Sequence, residues 1–252
     1  MQDSSIIVSI ITPSFNSLLY FKDAFDSIIS QSYTNWEWII VDDNSNDGSF
    51  DYIKQLVQGN TKIRLFQTDQ NSGAAVARNL GIRKSVGRYI AFLDVDDMWK
   101  PNKLEEQVKF MQNNDYAITY SNYELLLTNG KTTLFKPKRG TSNYKSLLKH
   151  NDIGCLTVIY DSEKLGKILM PEDCPKREDY ATWLDITKKG FIAYKINYNL
   201  ATYRVGKKSV SSNKLKMIKY HWKVYKQHEQ FGYLKSLVYL FIHSFNKLFR
   251  KY

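Results

Sequence analysis

The chain has only two cysteines among its 252 residues, Cys155 and Cys174. A disulfide-dense framework is therefore excluded, no CxxC metal site exists, and a reduced, cytoplasmic protein is the expectation. Long apolar runs are also missing. Ile6–Ile11 is too short for the core of a signal peptide, and Met1–Ser5 carries no basic residue ahead of it. Leu237–Phe245 falls far below a membrane span. Glycine is absent where a dinucleotide dehydrogenase requires it, because the first apolar run leads into Thr12-Pro13-Ser14-Phe15-Asn16. There is no nucleophile-elbow pattern, no repeat, no low-complexity stretch and no clear linker.

Acids are scarce at one end. From Lys214 onward nine Lys or Arg face a single acid, Glu229, whereas most carboxylates lie in the middle of the chain. The formal net charge of +11 is thus concentrated in the tail, and a basic protein meets anions. The length fits one large domain, or one domain with an appendage, and buries a sizeable core.

Apolar spacing gives the order of elements. Ile6–Ile11 reads as a buried strand stopped at Thr12-Pro13. Phe21, Ala24, Phe25, Ile28 and Ile29 repeat at helical spacing. Trp36–Val41 is a second strand, closed by Asp42-Asp43-Asn44-Ser45. Phe50, Ile53, Leu56 and Val57 mark a helix, Ile63 and Leu65 a strand, and Ala75, Val76, Asn79 and Leu80 a helix starting near Ser72-Gly73. Tyr89–Leu93 is a fourth strand running into Asp94. Short connections between alternating strands and helices predict a parallel sheet covered on both faces. Pro101 fits the first position of a further helix. A hairpin follows around Asn129-Gly130, then a mixed region from Tyr144 to Tyr160. Asp179–Lys189 reads as a helix ended by Gly190. Two strand-like pieces near Ile192 and Leu200 lead to a polar loop, Gly206–Asn213.

Ligands of such sheets bind at the carboxyl ends of the strands. Thr12-Pro13-Ser14, Asp42-Asp43, Asp69 and Asp94-Val95-Asp96-Asp97 all fall there. Three carboxylates in four residues repel one another unless a cation is near, and oxygen-only ligands suit Mg²⁺ or Mn²⁺. A solvated turn that caps the next helix explains the same residues. Asp42-Asp43 reads either as a side-chain turn or as an acceptor for a nucleobase or ribose. An acidic pocket of this kind also describes a phospho-receiver domain, which leaves the second half of the chain unused. Glu178-Asp179 suits a helix N-terminus, where the dipole favours acids, or supplies a general base.

These segments, taken in order, resemble family 2 glycosyltransferases of the GT-A fold. The resemblance is carried by Val8–Asn16, Ser30-Gln31-Ser32-Tyr33, Ile40–Ser45, Gly73–Asn79 and Phe92–Trp99, and continues at Lys176–Leu184. Gly154–Asp161 and Tyr203–Lys214 are similar to the bacterial branch that builds teichuronic acids, capsules and lipopolysaccharide. The resemblance implies an inverting transfer from a nucleotide sugar, with a UDP-sugar favoured, to a saccharide or lipid-linked saccharide. It implies that Thr12, Pro13 and Phe15 line a nucleobase pocket. Asp43, together with Asp42, accepts from the base or ribose, Arg78 braces the site, and Asp94 contacts the ribose or donor sugar. Asp96 holds Mn²⁺ or Mg²⁺, with Asp97 as the alternative ligand, and Asp179 is the base. Members of the family often carry a histidine shortly after the Tyr-Arg seen here as Tyr203-Arg204, where this chain has Gly206-Lys207-Lys208. Arg204, Lys207 or Lys208 then stands to neutralise a diphosphate in place of that histidine, or the loop is simply a solvated basic turn.

The implied organisation is a GT-A domain over 1–212, with a nucleotide-binding half at 1–100 and an acceptor-binding half at 101–212. A basic amphipathic helical tail occupies 213–252. The tail either lies on an anionic membrane surface, making the protein peripheral on the inner face of the cell membrane, or packs on the domain with its lysines in water. Nucleic acid is not an expected partner, since no recognised module accompanies the charge. Two rival functions are a non-catalytic nucleotide-sugar-binding subunit, which predicts loss of Asp96 or Asp179, and a nucleotidyltransferase, which predicts a Gly-rich N-terminal loop. This sequence shows neither feature.

Overall fold

A computed structural model describes residues 7–206 and 214–248. The first half alternates strand and helix: β1 (Val8–Ser14), α1 (Phe21–Ile29), β2 (Trp36–Asp42), α2 (Ser49–Leu56), β3 (Ile63–Gln67), α3 (Ala74–Lys84) and β4 (Tyr89–Phe92). A short β5 (Met98–Trp99) precedes α4 (Lys103–Asn114), then β6 (Ile118–Leu126), β7 (Thr132–Phe135) and β8 (Thr141–Ser142). Next come α5 (Tyr144–Lys149), a 3₁₀ turn (Cys155–Thr157), β9 (Ile159–Asp161), α6 (Ser162–Leu165), α7 (Glu178–Lys188) and β10 (Ala193–Arg204). The tail holds α8 (Lys214–Lys223), a π-helical turn (Val224–His228) and α9 (Tyr233–Leu248).

One sheet runs β3-β2-β1-β4-β9-β6-β10-β5, with β7 added to β6 and β8 to β10. The pairs β1–β2, β2–β3 and β1–β4 are parallel, as the short crossovers predict. Beyond β4 the sheet is mixed: β9 is antiparallel to both β4 and β6, while β6 and β10 are parallel. Alternate strand residues feed two cores. Val8, Ile10, Trp38, Ile40 and Ala91 face α1, α2 and α4 through Phe21, Ile53 and Leu104. Ile11, Ile39, Val41, Ile90 and Phe92 face α3, α5 and α7 through Ala77, Leu147 and Trp183. Both faces are therefore covered, and the strands read as continuous apolar runs for that reason.

Three boundaries differ from the sequence reading. β1 does not stop at Thr12-Pro13 but continues to Ser14, with Pro13 opposite Val41. The carbonyl of Ile11 accepts from Leu93 on the β4 side, whereas that of Ser14 accepts from Asp43 on the β2 side. The Pro13 nitrogen therefore faces β4, which has already ended at Phe92, and no ladder bond is lost. Pro101 lies one residue before the N-cap Asn102 rather than at the first helical position. The two pieces near Ile192 and Leu200 form one strand, β10, whose register against β6 shifts around Asn199. That irregularity interrupts the alternation that marks a strand.

Candidate active site

The strand order reverses at β1, and in sheets of this kind ligands enter beside such a switch point, here where β1 and β4 end. Hydroxyl groups shape the rim of β1. The Ser14 and Ser17 hydroxyls pair at 2.7 Å, Asn16 N–H donates to Ser45 Oγ at 2.9 Å, and Ser17 N–H donates to Ser49 Oγ at 2.7 Å. The loops after β1 and β2 are thereby stitched together through serine hydroxyls. Thr12 is fully buried, and its Oγ1 accepts from the Trp38 indole at 2.8 Å. Next to it Pro13 is half-buried and Phe15 is exposed.

Asp42 and Asp43 are both buried and well bonded. Asp42 accepts from Ser45 N–H at 2.9 Å, Ser45 Oγ at 2.6 Å and Gln67 Nε2 at 3.2 Å, the side-chain turn that its position suggests. Asp43 accepts from Thr68 Oγ1 at 2.9 Å and from the N–H groups of Ser72 and Gly73 at 2.9 and 2.7 Å. It fixes the start of α3, whose N-cap Gly73 has φ of 94°. A carboxylate offers about four acceptor positions, so each keeps roughly one to spare.

Arg78 on α3 is the hub of this region. It is 5% exposed; Nη2 donates to Asp94 Oδ1 at 2.5 Å and Nη1 donates to Glu178 Oε1 at 2.8 Å. Burial opposes its charge, but the carboxylates of Asp94 and Glu178 prevail and hold the guanidinium protonated. One side chain thus ties the end of β4 to the start of α7, 100 residues apart in sequence. Glu178 is the member of this ion triad whose role the sequence reading missed, since a buried arginine and its partner leave no local signal.

Asp179 follows Glu178 in the first turn of α7. Burial, reinforced by the Glu178 charge, pushes its carboxyl up to about 6, against the pull of Arg177 and Arg78. The buried Cys155 thiol lies in the same electrostatic neighbourhood and is likewise raised by burial.

Among residues 94–97, Asp96 is the exposed carboxylate. Its side chain reaches solvent, yet protein crowds most of the space around it, and that partial desolvation, then the Asp94 charge, raises its pKa. Asp97 is turned inward: it is 1% exposed, accepts from Arg204 N–H at 2.9 Å, and is held well above the usual carboxylate range by burial and by Asp96. Asp94 is engaged by Arg78. Three-ligand sets among the described residues converge at Asp173, Cys174 and His228, and at Asp185, His228 and Glu229, but not at 94–97. The oxygen-only surroundings suit a hard divalent cation held by one carboxylate, with its shell completed by phosphate oxygens and water. The Arg204 guanidinium donates to the Asp96 carbonyl at 3.0 Å and to the half-exposed Asp23 at 2.5 Å, which holds it beside the 94–97 turn. Lys207, Lys208 and the rest of the loop to Asn213 lie outside the described residues.

A doubly covered α/β sheet with ionisable groups gathered at one switch point defines a class of α/β proteins whose ligands enter at strand ends. The sequence profile of the family described as Glycosyl transferase family 2 matches residues 9–162, and the chain belongs to that family. It is 44% identical over 234 residues to TuaG of Bacillus subtilis (strain 168), whose name assigns it provisionally to teichuronic acid biosynthesis; 91% of each chain is covered. It is 39% identical over 220 residues to WfgD of Escherichia coli, named a UDP-Glc:alpha-D-GlcNAc-diphosphoundecaprenol beta-1,3-glucosyltransferase, with 86% of this chain and 85% of WfgD covered. Its fold is that of solved GT-A glycosyltransferases. TarS 1-349 of S. aureus in complex with UDP-GlcNAc matches with TM-score 0.71 at 17% identity, over 87% of this chain and 65% of that one. The mannosyltransferase PcManGT of Pyrobaculum calidifontis, in complex with GDP-Man and Mn²⁺, matches with TM-score 0.70 at 17% identity, over 95% and 70%. The chain spans less than two thirds of the TarS chains it matches.

Proposed function

We propose that the protein transfers a sugar from a nucleotide sugar, a UDP-sugar by preference, to a saccharide or lipid-linked saccharide acceptor in bacterial surface polysaccharide synthesis, with inversion at the anomeric carbon. The observation that carries this reading is Arg78, which joins Asp94 to the helix start that bears Asp179. The names of TuaG and WfgD support the polysaccharide setting, and the UDP-Glc in the name of WfgD and the UDP-GlcNAc in TarS support the donor.

In this reading residues 1–100 hold the donor and 101–212 the acceptor. Pro13 and Phe15 flank the nucleobase, Thr12 supports them from beneath, and Asp43, backed by Asp42, uses its remaining acceptor position on the base or ribose. Asp94, oriented by Arg78, meets the ribose or donor sugar. Asp96 holds Mn²⁺ or Mg²⁺, and Asp97 braces its loop through Arg204. When bound, the cation neutralises charge on the leaving diphosphate. Asp179 takes the proton from the acceptor hydroxyl, whose oxygen forms a bond to the anomeric carbon as the bond to the diphosphate oxygen breaks. The proton ends on Asp179 and the nucleoside diphosphate leaves. A carboxyl near 6 is ionised at neutral pH, yet basic enough to share that proton.

Thermal stabilisation by UDP-, GDP- and dTDP-sugars with Mn²⁺ tests the donor assignment. A UDP-sugar raises Tm with the metal and not with a chelator. Asp96→Ala weakens binding of the nucleoside diphosphate far more than that of the nucleoside, and equal weakening of both sinks the metal assignment.

A further inference from the structure

Helix α9 is apolar on two opposite sides. One side carries Ser236, Tyr239, Leu240 and His243: Ser236 and His243 are buried, and Tyr239 and Leu240 pack against the core that contains Val224 and Tyr225. At about 100° per residue the other side carries Leu234, Leu237, Val238 and Phe241, with Phe245 stacked on Phe241. Leu234 is 78% exposed, Phe241 70%, Leu237 54% and Val238 48%. A surface helix ordinarily turns polar residues outward, and a contiguous apolar stripe of this kind marks an interaction surface.

Charge selects the occupant. Basic groups border the stripe, with Lys226 over the ring of the exposed Tyr233 at 4.4 Å and Lys235 over Phe231 at 3.7 Å. The single acid of the tail, Glu229, is buried and accepts from Tyr144 Oη and Lys188 Nζ. Among the described residues, the outer surface of the tail thus has cations and no accessible carboxylate of its own. A second copy seated on this stripe would set two such basic surfaces against each other. An anionic surface offers apolar burial and relief of the charge together.

We infer that α9 is a docking helix for an anionic lipid surface, lying in the plane of the interface with Leu234, Leu237, Val238 and Phe241 among the acyl chains and the neighbouring lysines at the headgroups. The four side chains cover 234–241, about 11 Å of helix. No helix among the described residues is long and apolar enough to cross a membrane, so the contact is peripheral. The inference stands apart from the transfer reaction, since lipid binding is read without donor or acceptor.

The test is co-sedimentation of the full chain with vesicles of phosphatidylcholine alone and of equal parts phosphatidylcholine and phosphatidylglycerol. The protein sediments with the anionic vesicles and much less with the neutral ones, and high salt releases it. The double variant Leu234→Ser/Phe241→Ser lowers partition by about tenfold or more. Its Tm stays that of the parent, because both side chains point away from the core. Failure of the parent chain to sediment with anionic vesicles overturns the inference, as does unchanged partition of the folded double variant. Sedimentation equilibrium adds a third arm: a dimer of the parent chain that the double variant converts to monomer shows that a second copy covers the stripe instead.

Discussion

At the residue scale the proposed mechanism turns on two groups, Asp179 and Arg78. A carboxyl pushed up to about 6 makes two separate predictions. The first is kinetic. If Asp179 is the base, kcat/KM falls about tenfold for each pH unit below roughly 6, and Asp179→Asn lowers transfer by about 10²-fold or more while nucleotide binding persists. Parallel loss of binding and transfer would show a structural role. The second prediction concerns stability and has the opposite sign to the common acid case. The folded state raises this pKa, so it binds more protons than the unfolded chain between about pH 4 and 6, and stability is lost as pH rises through that window. Asp179→Asn removes the burden. It raises stability at pH 7 by at most about 3 kcal/mol, with no gain near pH 4, as read by denaturant unfolding at the two pH values.

Arg78 has the reverse character. It is buried between two carboxylates, and Arg78→Met leaves Asp94 and Glu178 charged, crowded and without their partner. Breaking a buried pair in this way costs about 3–5 kcal/mol. The triple change that also neutralises Asp94 and Glu178 as amides recovers part of that loss, although the site is gone; urea midpoints of the two variants measure the difference. Part of this chemistry was legible in the sequence. Asp43, Asp94 and Asp96 stood out because carboxylates gathered at strand ends repel one another unless a cation is near, whereas Asp179, at a helix start where acids are favoured, stood out only through the family resemblance. That Asp42 spends its oxygens on Ser45 and Gln67 was half-legible as a side-chain turn. The Arg78–Glu178 contact was not legible, because a 100-residue separation has no periodicity to betray it.

At the scale of elements, the parallel half of the sheet could be read from spacing alone, since β1, β2 and β4 are buried on both faces and every crossover is short. The remainder was harder. β1 runs through Pro13 because the edge beside it is vacant, a fact of the neighbouring strand and not of the proline. β10 reads as two pieces because its register shifts against β6. The close seating of α3 on β1 was also invisible. It depends on Gly81, where an added Cβ would come within 2.6 Å of Ile11 Cγ2. Helix propensity alone favours alanine there by about 1 kcal/mol, but a contact of that length forces the helix outward and overrides the preference. Gly81→Ala therefore destabilises by about 1–3 kcal/mol in denaturant unfolding. Because α3 also carries Arg78, the variant weakens nucleotide binding without altering any group that touches the ligand.

At the scale of the whole molecule, the tail is a second layer clamped onto α5 and α7. The Tyr225 hydroxyl donates to the Leu148 carbonyl at 2.9 Å and meets Tyr180 Oη at 3.2 Å. On the other side of the π-helical turn, His228 Nε2 is 2.9 Å from Asp185 Oδ1 on α7. The sequence offered two fates for these residues, packing on the domain or contact with a membrane, as though they were exclusive. A helix apolar on both sides permits both, since the face toward Tyr225 is buried and the face toward Leu234 is not. The clamp carries its own pH dependence. The hydrogen bond to Asp185 raises the His228 pKa above its ordinary value, against the opposing effect of burial. A raised histidine contributes stability that is fully present below the unfolded value near 6.5 and is lost as pH rises through the folded value. The attachment of the tail therefore weakens as pH rises above about 6.5 and through the raised folded value. In the parent chain, stability to urea declines across this window. In Asp185→Asn the decline is flattened, because the neutral amide no longer favours the imidazolium. Amide exchange followed at a fixed pH below 6.5 places the change: Asp185→Asn speeds exchange in α8 and α9 and leaves β1, β2 and β4 as protected as in the parent. A uniform acceleration over both regions would mean that tail and sheet unfold as one unit and that His228 clamps nothing separable.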